Sequence, residues 1–314
     1  MTSGSSTTSS LSWLPVTSKS RCPICGHNTW CSFSSDGAYA VCRRLDTGNG
    51  HAKTDKSGSE YWVYRLDGRP SLNQDAIEVP ATIGTKCADA DTLDRVYSYV
   101  LDTLPLSTIH REQLHKRGLS DVDINLRGYS TMPVGNRKHV VDALIKEDFI
   151  NELTEVPGFR LINKNSGVFT GAPGLLIPVR NENNKVVALK IRRDKIGDGP
   201  KYLYISSTKH GGPGPGSPVH VPLCSTPTET IRLTEGELKA DITTSLSGML
   251  TIGLPGVSIW HPVLPILRSL AVKTVRLAFD ADARQKLNVA RALEIVATSL
   301  EKEGFTLEME VWDA

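Results

Sequence analysis

Two stretches decide the fold: TIRLTEGELKAD at residues 230–241 and TVRLAFDAD at residues 274–282. Each is a short apolar run that ends in carboxylates and leads into a helical pattern. Around them, residues 230–314 keep one rhythm. Strands are expected at Thr230–Thr234, Leu250–Leu254, Thr274–Phe279 and Thr306–Val311, with helices over about 238–246, 260–270 and 285–302. Apolar strands alternating with helices imply a parallel sheet covered on both faces. In such sheets function gathers beyond the carboxyl ends of the strands. Glu235, Asp280 and Asp282 all fall there. Three carboxylates at one sheet edge repel one another unless a divalent cation neutralises them, and hard oxygen donors suit Mg²⁺ or Mn²⁺. The plainer reading is helix capping, since Glu235, Glu237 and Asp282 each precede a helix, where anions are favoured anyway.

Working toward the N-terminus, residues 175–207 read as strands. Leu175–Arg180 and Lys185–Arg193 flank a polar turn, and Lys201–Ser207 forms a third strand. Between positions 180 and 201 there are seven cations and three anions, an excess unlike the near balance of the whole chain, where 36 Lys and Arg face 34 Asp and Glu for a net charge of +2. Any basic site is therefore local. Lys190, Arg192, Arg193 and Lys201 are its candidate nucleic-acid or nucleotide contacts; a solvated sheet face is the plainer alternative. Before this lies a small helical unit: residues 91–103, a second helix capped by Ser107 and stopped by Gly118, and a third after Ser120.

Six cysteines are present, four of them at Cys22, Cys25, Cys31 and Cys42. Cys22-Pro23-Ile24-Cys25-Gly26 has the form of a knuckle that aims two thiolates at one Zn²⁺, with Gly26 allowing the tight turn. Asp36-Gly37 between two strand-like runs is a hairpin signal. With those two as the loop, Cys31 and Cys42 face each other on one side of the ribbon. Cys22, Cys25 and Cys42 are the firm ligands. Cys31 is the choice for the fourth, with His51 and then His27 as alternatives, and a buried Cys31 as the bland one. The ribbon is too small for much of a core, so its metal would be structural. Trp30, Phe33 and Tyr39 could stack on bases or simply pack over the ribbon.

MTSGSSTTSS at the start is neither a signal peptide nor part of a core. No run of 18 apolar residues exists, so no membrane span is expected. The organisation read from the chain is a disordered tail (1–18), a zinc-binding ribbon (19–66), a linker (67–90), a mixed helical and β basic subdomain (91–228) and an α/β parallel-sheet domain (229–314).

At this point the sequence resembles the Toprim domain of primases, topoisomerases and some nucleases, which carries a Glu after its first strand and an Asp-x-Asp after a later one; here these match Glu235, Asp280 and Asp282. GLLIPVRNENNKVVALKIRRD and GPKYLYISS resemble the basic RNA-polymerase-like subdomain of DnaG-type primases, with Arg192 on the hairpin Arg and Lys201 on the Lys before Tyr-Leu. The cysteine cluster resembles the zinc-binding domain that precedes that core. Blocks at 117–120, 157–159, 210–220 and 253–260 bring the chain nearest to a Toprim family of phages, plasmids and other mobile elements. Two departures stand out: the zinc ligands do not form a plain double knuckle, and the chain stops at Val311–Ala314 where relatives continue with a Gly-Lys-Gly segment, further aspartates and often a helicase domain. The resemblance implies a cytoplasmic DNA primase. It would use structural Zn²⁺ and catalytic Mg²⁺ or Mn²⁺, take single-stranded DNA and NTPs, and work with a replicative helicase or a helicase domain beyond this chain. In it Glu235 would be a metal ligand or general base, and Asp280 and Asp282 metal ligands. A Toprim nuclease and a non-catalytic single-strand binding module are the alternative expectations.

Overall fold

The computed structural model describes residues 12–310, apart from positions 29, 45–46, 48, 55–59, 67–85, 136, 164, 197–198, 225–227, 258 and 281–286. The chain divides into two compact units, residues 1–83 and 84–314. Most of the expected linker lies outside the described residues.

The first unit is an antiparallel sheet of β1 (Trp13–Pro15), β2 (Ser32–Ser34), β3 (Tyr39–Cys42), β4 (His51–Thr54) and β5 (Glu60–Arg65), in the order β1-β2-β3-β5-β4. Ser32 pairs with Val41 and Phe33 with Ala40, which is the expected hairpin register. The loop is longer than two residues: Ser35–Ala38 separate the strands, with the Gly37 N–H donating to the Ser34 carbonyl (2.9 Å). Two expectations are corrected. The disordered tail does not reach residue 18, because β1 pairs with β2 and Trp13 packs beside Val41, Tyr61 and Val63. Nor does the ribbon lack a core: β4 and β5 widen the hairpin into a sheet with an apolar cluster on each face.

The second unit begins where Asp89 caps α1 (Ala90–Thr103), its carboxylate accepting from the Thr92 N–H at 2.8 Å. There follow α2 (Thr108–His115), α3 (Asp121–Arg127), β6 (Ser130–Met132), α4 (Lys138–Lys146), the hairpin β7 (Phe159–Asn163) and β8 (Ser166–Phe169), then β9 (Gly174–Arg180), β10 (Val186–Arg193) and β11 (Tyr202–Tyr204). Ser120 opens α3 with a capping box shared with Asp123. Strands β11-β10-β9-β6 form an antiparallel sheet with two buried faces. Leu176, Leu189 and Ile191 pack with Val96, Tyr97, Val140 and Leu144 of α1 and α4. Leu175 and Ile177 pack with Leu114, Ile124 and Leu238.

Leu238 belongs to the parallel part of the unit: β12 (Thr230–Glu235), α5 (Glu237–Ser247), β13 (Thr251–Leu254), α6 (Val263–Ser269), β14 (Thr274–Leu277), α7 (Leu287–Lys302) and β15 (Thr306–Met309). All pairings in the order β13-β12-β14-β15 are parallel, as the strand–helix rhythm requires. Ile231, Leu233, Val275 and Leu277 join α6 and α7 in one apolar cluster. On the other face Arg232 donates to Ser247 of α5 (2.9 Å), so helices cover both sides.

The antiparallel and parallel sheets are tied together around Asp241 of α5, whose side chain is 3 % exposed. Arg127 Nη1 (2.6 Å) and the Tyr129 hydroxyl (2.6 Å) donate to it. His220 supplies a third contact, Nε2 to Asp241 Oδ1 at 3.1 Å, while its Nδ1 accepts from the Arg180 N–H (3.0 Å) at the end of β9. The His220 backbone exchanges both hydrogen bonds with Gly253 in β13 (2.9 and 2.8 Å).

Candidate functional site

In the first unit the four sulfurs of Cys22, Cys25, Cys31 and Cys42 lie within 4.8 Å of one another. The knuckle closes as the sequence implies, with the Gly26 N–H donating to the Cys22 carbonyl (2.9 Å) and the Cys22 N–H to that of His27 (2.8 Å). Gly26 sits at φ +72°, where a side chain would be strained. Zn–S bonds of about 2.3 Å set tetrahedral S···S separations near ~3.8 Å. The Cys25–Cys31 and Cys31–Cys42 distances are 3.7 and 4.0 Å. Four soft sulfurs with this spacing fit a structural Zn²⁺. Burial, with Cys31 and Cys22 close by, pushes the Cys25 thiol up to about 11. The Cys42 hydrogen bond and burial push Cys31 up as well.

Cys31 is thus the fourth member of the cluster, and the two histidines are outside it. His51 pairs with Val63, which pairs with Val41, so His51 is on the sheet face opposite Cys42. His27 contributes its backbone carbonyl to the knuckle. Its ring is held below the usual imidazole range by burial, Arg44 and Arg21. We expect one tightly held Zn²⁺ per chain by elemental analysis. Cys22→Ser, Cys42→Ser and Cys31→Ser should each lose it and unfold the first unit, while His51→Ala keeps it. Zinc retained in Cys31→Ser would remove Cys31 from the ligand set.

In the second unit, Glu235 is the last residue of β12, and Asp280 follows β14, the strand next to it. Leu233 and Leu277 are in register, and the Ala278 N–H donates to the Leu233 carbonyl (2.9 Å), so both acids leave the same end of the sheet. Asp282 lies outside the described residues. After Glu235 the chain turns sharply into α5 at Gly236, whose carbonyl oxygen would stand 3.0 Å from any Cβ at Gly253. The Gly in the 253–260 block therefore lets β13 press against this turn. Gly236 is the N-cap of α5 and supplies no side-chain cap, so Glu235 is not spent on capping. Its carboxylate is exposed and has no hydrogen-bond or ion-pair partner among the described residues. Asp280 is exposed too, and both its oxygens lie 2.5 Å from Nζ of Lys239. Beside it opens a cavity of about 370 Å³ lined by Arg117, Thr234, Lys239, Thr243 and Phe279 among others. Two hard carboxylates from adjacent strand ends, with Asp282 two residues on, make a donor set that fits Mg²⁺ or Mn²⁺.

The cations of the basic hairpin divide. Lys201 is exposed, its ammonium 5.8 Å from the centre of the Tyr202 ring. Arg193 donates to the Pro200 carbonyl (3.1 Å). Arg192 Nη1 donates to Gln113 of α2 (2.8 Å), while its buried Nε has no hydrogen-bond partner. Lys190 corrects both readings of the alternating strand. It is neither on a solvated face nor open to a ligand, because the N-terminal turn of α5 covers it. Its Nζ lies 2.8 and 2.6 Å from the two oxygens of Glu237, which is 2 % exposed. The Tyr204 hydroxyl donates to the same carboxylate (2.6 Å), and burial with this anion close by pushes the phenol's pKa well up. Lys190 therefore fixes the residue two places after Glu235. Sequence reasoning missed Lys239 and the Lys190–Glu237 pair, and Arg117 entered it only within the 117–120 block. No local signal marks Lys239, because its partner Asp280 is 41 positions away.

Residues 223–314 match the model of a domain of unknown function, DUF3854. Among curated proteins, none matches this sequence. The fold is similar to that of the Aquifex aeolicus primase (zinc-binding and RNA polymerase domains), with a TM-score of 0.55 at 16 % identity over 77 % of this chain and 57 % of that one. It is similar to a DnaG primase catalytic domain solved bound to single-stranded DNA (TM-score 0.52, 17 % identity, 71 % of this chain, 74 % of that). A DNA primase domain from Pseudomonas aeruginosa gives a TM-score of 0.52 at 17 % identity, covering 70 % and 71 %. At these identities the likeness is one of fold. The chain spans little more than half of the Aquifex structure. It has the architecture of a DnaG-type primase core with an N-terminal four-cysteine group, and a Toprim-like parallel sheet. No helix among the described residues is long and apolar enough to cross a membrane.

Proposed function

We propose that this chain is a DNA-dependent primase module, which makes short oligonucleotides on single-stranded DNA by metal-dependent nucleotidyl transfer in the replication of a mobile element. The observation that carries the reading is the pair Glu235 and Asp280, leaving one edge of a parallel sheet within a primase-like fold. Glu235, Asp280 and Asp282 would hold Mg²⁺ or Mn²⁺. That ion, when bound, lowers the barrier to attack of a 3′-hydroxyl on the α-phosphate of an NTP. Glu235, with no partner among the described residues, is suited to bind the ion or take the proton of the attacking hydroxyl. Arg117, at the cavity beside Asp280, adds a cation where phosphate charge would enter. Lys201, Arg193 and the outer edge of Arg192 supply contacts to template backbone or nucleotide. Lys190 acts indirectly, by holding the turn after Glu235. A helicase, separate or joined to this chain, would supply the unwound template. The four-cysteine unit would help select the start site.

The test is single-stranded template, NTPs and Mg²⁺ or Mn²⁺, with products resolved by size. New oligonucleotides support the proposal. Shortened template would replace it with a Toprim nuclease, and neither product would leave a binding module.

The basic strand is tested separately. Lys201→Ala should weaken single-stranded DNA binding and lower the slope of log K against log salt by about 0.7, the contribution of one phosphate contact on a single strand. Arg192→Ala should act in the same direction. An unchanged slope in both would return these cations to the solvated face.

A further inference from the structure

We infer that Lys239 is a built-in counter-ion that occupies Asp280 and competes with the divalent cation for it. The inference rests on the reading of Glu235 and Asp280 as a metal site. Lys239 lies in the first turn of α5, and its ammonium is equidistant from both Asp280 oxygens, at 2.5 Å from each. A divalent cation can bind Asp280 only by taking at least one of those oxygens. A hard ion sits about 2.0–2.6 Å from a carboxylate oxygen, so an ammonium kept in place would face a like charge at close range. The remaining lone pairs would let both cations touch the carboxylate, but repulsion between them at this range favours Lys239 turning aside as the ion enters. Space for this exists, because its side chain is 48 % exposed and borders the cavity. Glu235 has no such partner among the described residues. The asymmetry makes Glu235 the open ligand and Asp280 the guarded one. The Lys239–Asp280 pair balances the Asp280 charge when no ion is bound.

Competition of this kind has a definite sign. A partly exposed ion pair is worth up to about fivefold in an equilibrium constant. Lys239→Met, which keeps the length and helix preference of the side chain but not its charge, should bind Mn²⁺ about fivefold more tightly than the parent. Lys239→Arg keeps the charge and should stay within about twofold of it. The measurement is titration of the zinc-loaded full chain with Mn²⁺, following loss of the free-ion electron paramagnetic resonance signal. Circular dichroism confirms that each variant is folded, and Glu235→Gln and Asp280→Asn run alongside. If Lys239→Met binds Mn²⁺ as the parent does, or more weakly, Lys239 is no competitor; weaker binding would mean that it holds Asp280 in the right place for the ion. If the parent takes up no Mn²⁺, or the two carboxylate variants take up as much as the parent, the metal-site reading fails and the inference falls with it.

Discussion

Asp280→Asn and Glu235→Gln are expected to abolish primer synthesis while leaving the chain folded. Asp282→Asn should do the same. Loss of a residue that only orients a metal ligand costs about 10–100-fold in affinity or activity. Removal of the ligand itself should cost more, enough to leave background. Folding should be indifferent, since Glu235 has no partner among the described residues and the Lys239–Asp280 pair is exposed, a kind of contact worth about 0–1 kcal/mol. The measurement is the rate of oligonucleotide formation over a range of Mg²⁺ concentrations, beside a thermal melt. Helix capping predicts the opposite result, because Asn caps about as well as Asp. Wild-type rates in both Asp→Asn variants would reinstate capping and end the metal-site reading.

The second large effect is on stability. Asp241→Asn should destabilise the second unit by about 3–5 kcal/mol, because it strands the buried Arg127 guanidinium without its counter-charge. For a unit of this size that is a fall in Tm of about 10 °C. Burial alone would push the Asp241 carboxyl up; the His220 ring, Arg127 and the Tyr129 hydroxyl outweigh it and hold it below its ordinary value. A depressed folded-state pKa adds stability that is present above the unfolded value of about 4 and lost as the pH falls through the folded one. The parent should therefore lose stability below about pH 4 more steeply than Asp241→Asn does. Equal melting temperatures at pH 7 would show that the network is dispensable.

How much of this was legible in the sequence depended on whether the information was local. The strands of the parallel part read clearly because short β-branched and leucine-rich runs alternate regularly with helical patterns, which implies parallel pairing. The order β13-β12-β14-β15 was not legible, since only β13 is buried throughout and β12 and β14 alternate buried with half-exposed residues. The register that sets Cys31 against Cys42 followed from the period of two in a hairpin, and survived a longer loop because the added residues were symmetric about the turn. Lys190 failed for the opposite reason. Its strand alternates cations with apolar residues as a solvated face would, and nothing nearby announces that Glu237, 47 positions on, covers it. The Asp241 network was invisible for the same cause, its partners lying at 127, 129 and 220. Residues 129–173 carry weaker signals: β6 has three residues, the β7–β8 strands are short, and α4 lacks the Ser cap that announces α2 and α3.

His220 also decides what can be transplanted. The match to the domain of unknown function begins at residue 223, just beyond it. A gene fragment cut there would carry Asp241 and leave behind Arg127, Tyr129 and His220, together with the strand-like pairing of His220 to Gly253. A parallel sheet cut free at that seam would carry a buried carboxylate without its counter-charge, so a fragment meant to fold alone must begin before Arg127 or replace Asp241.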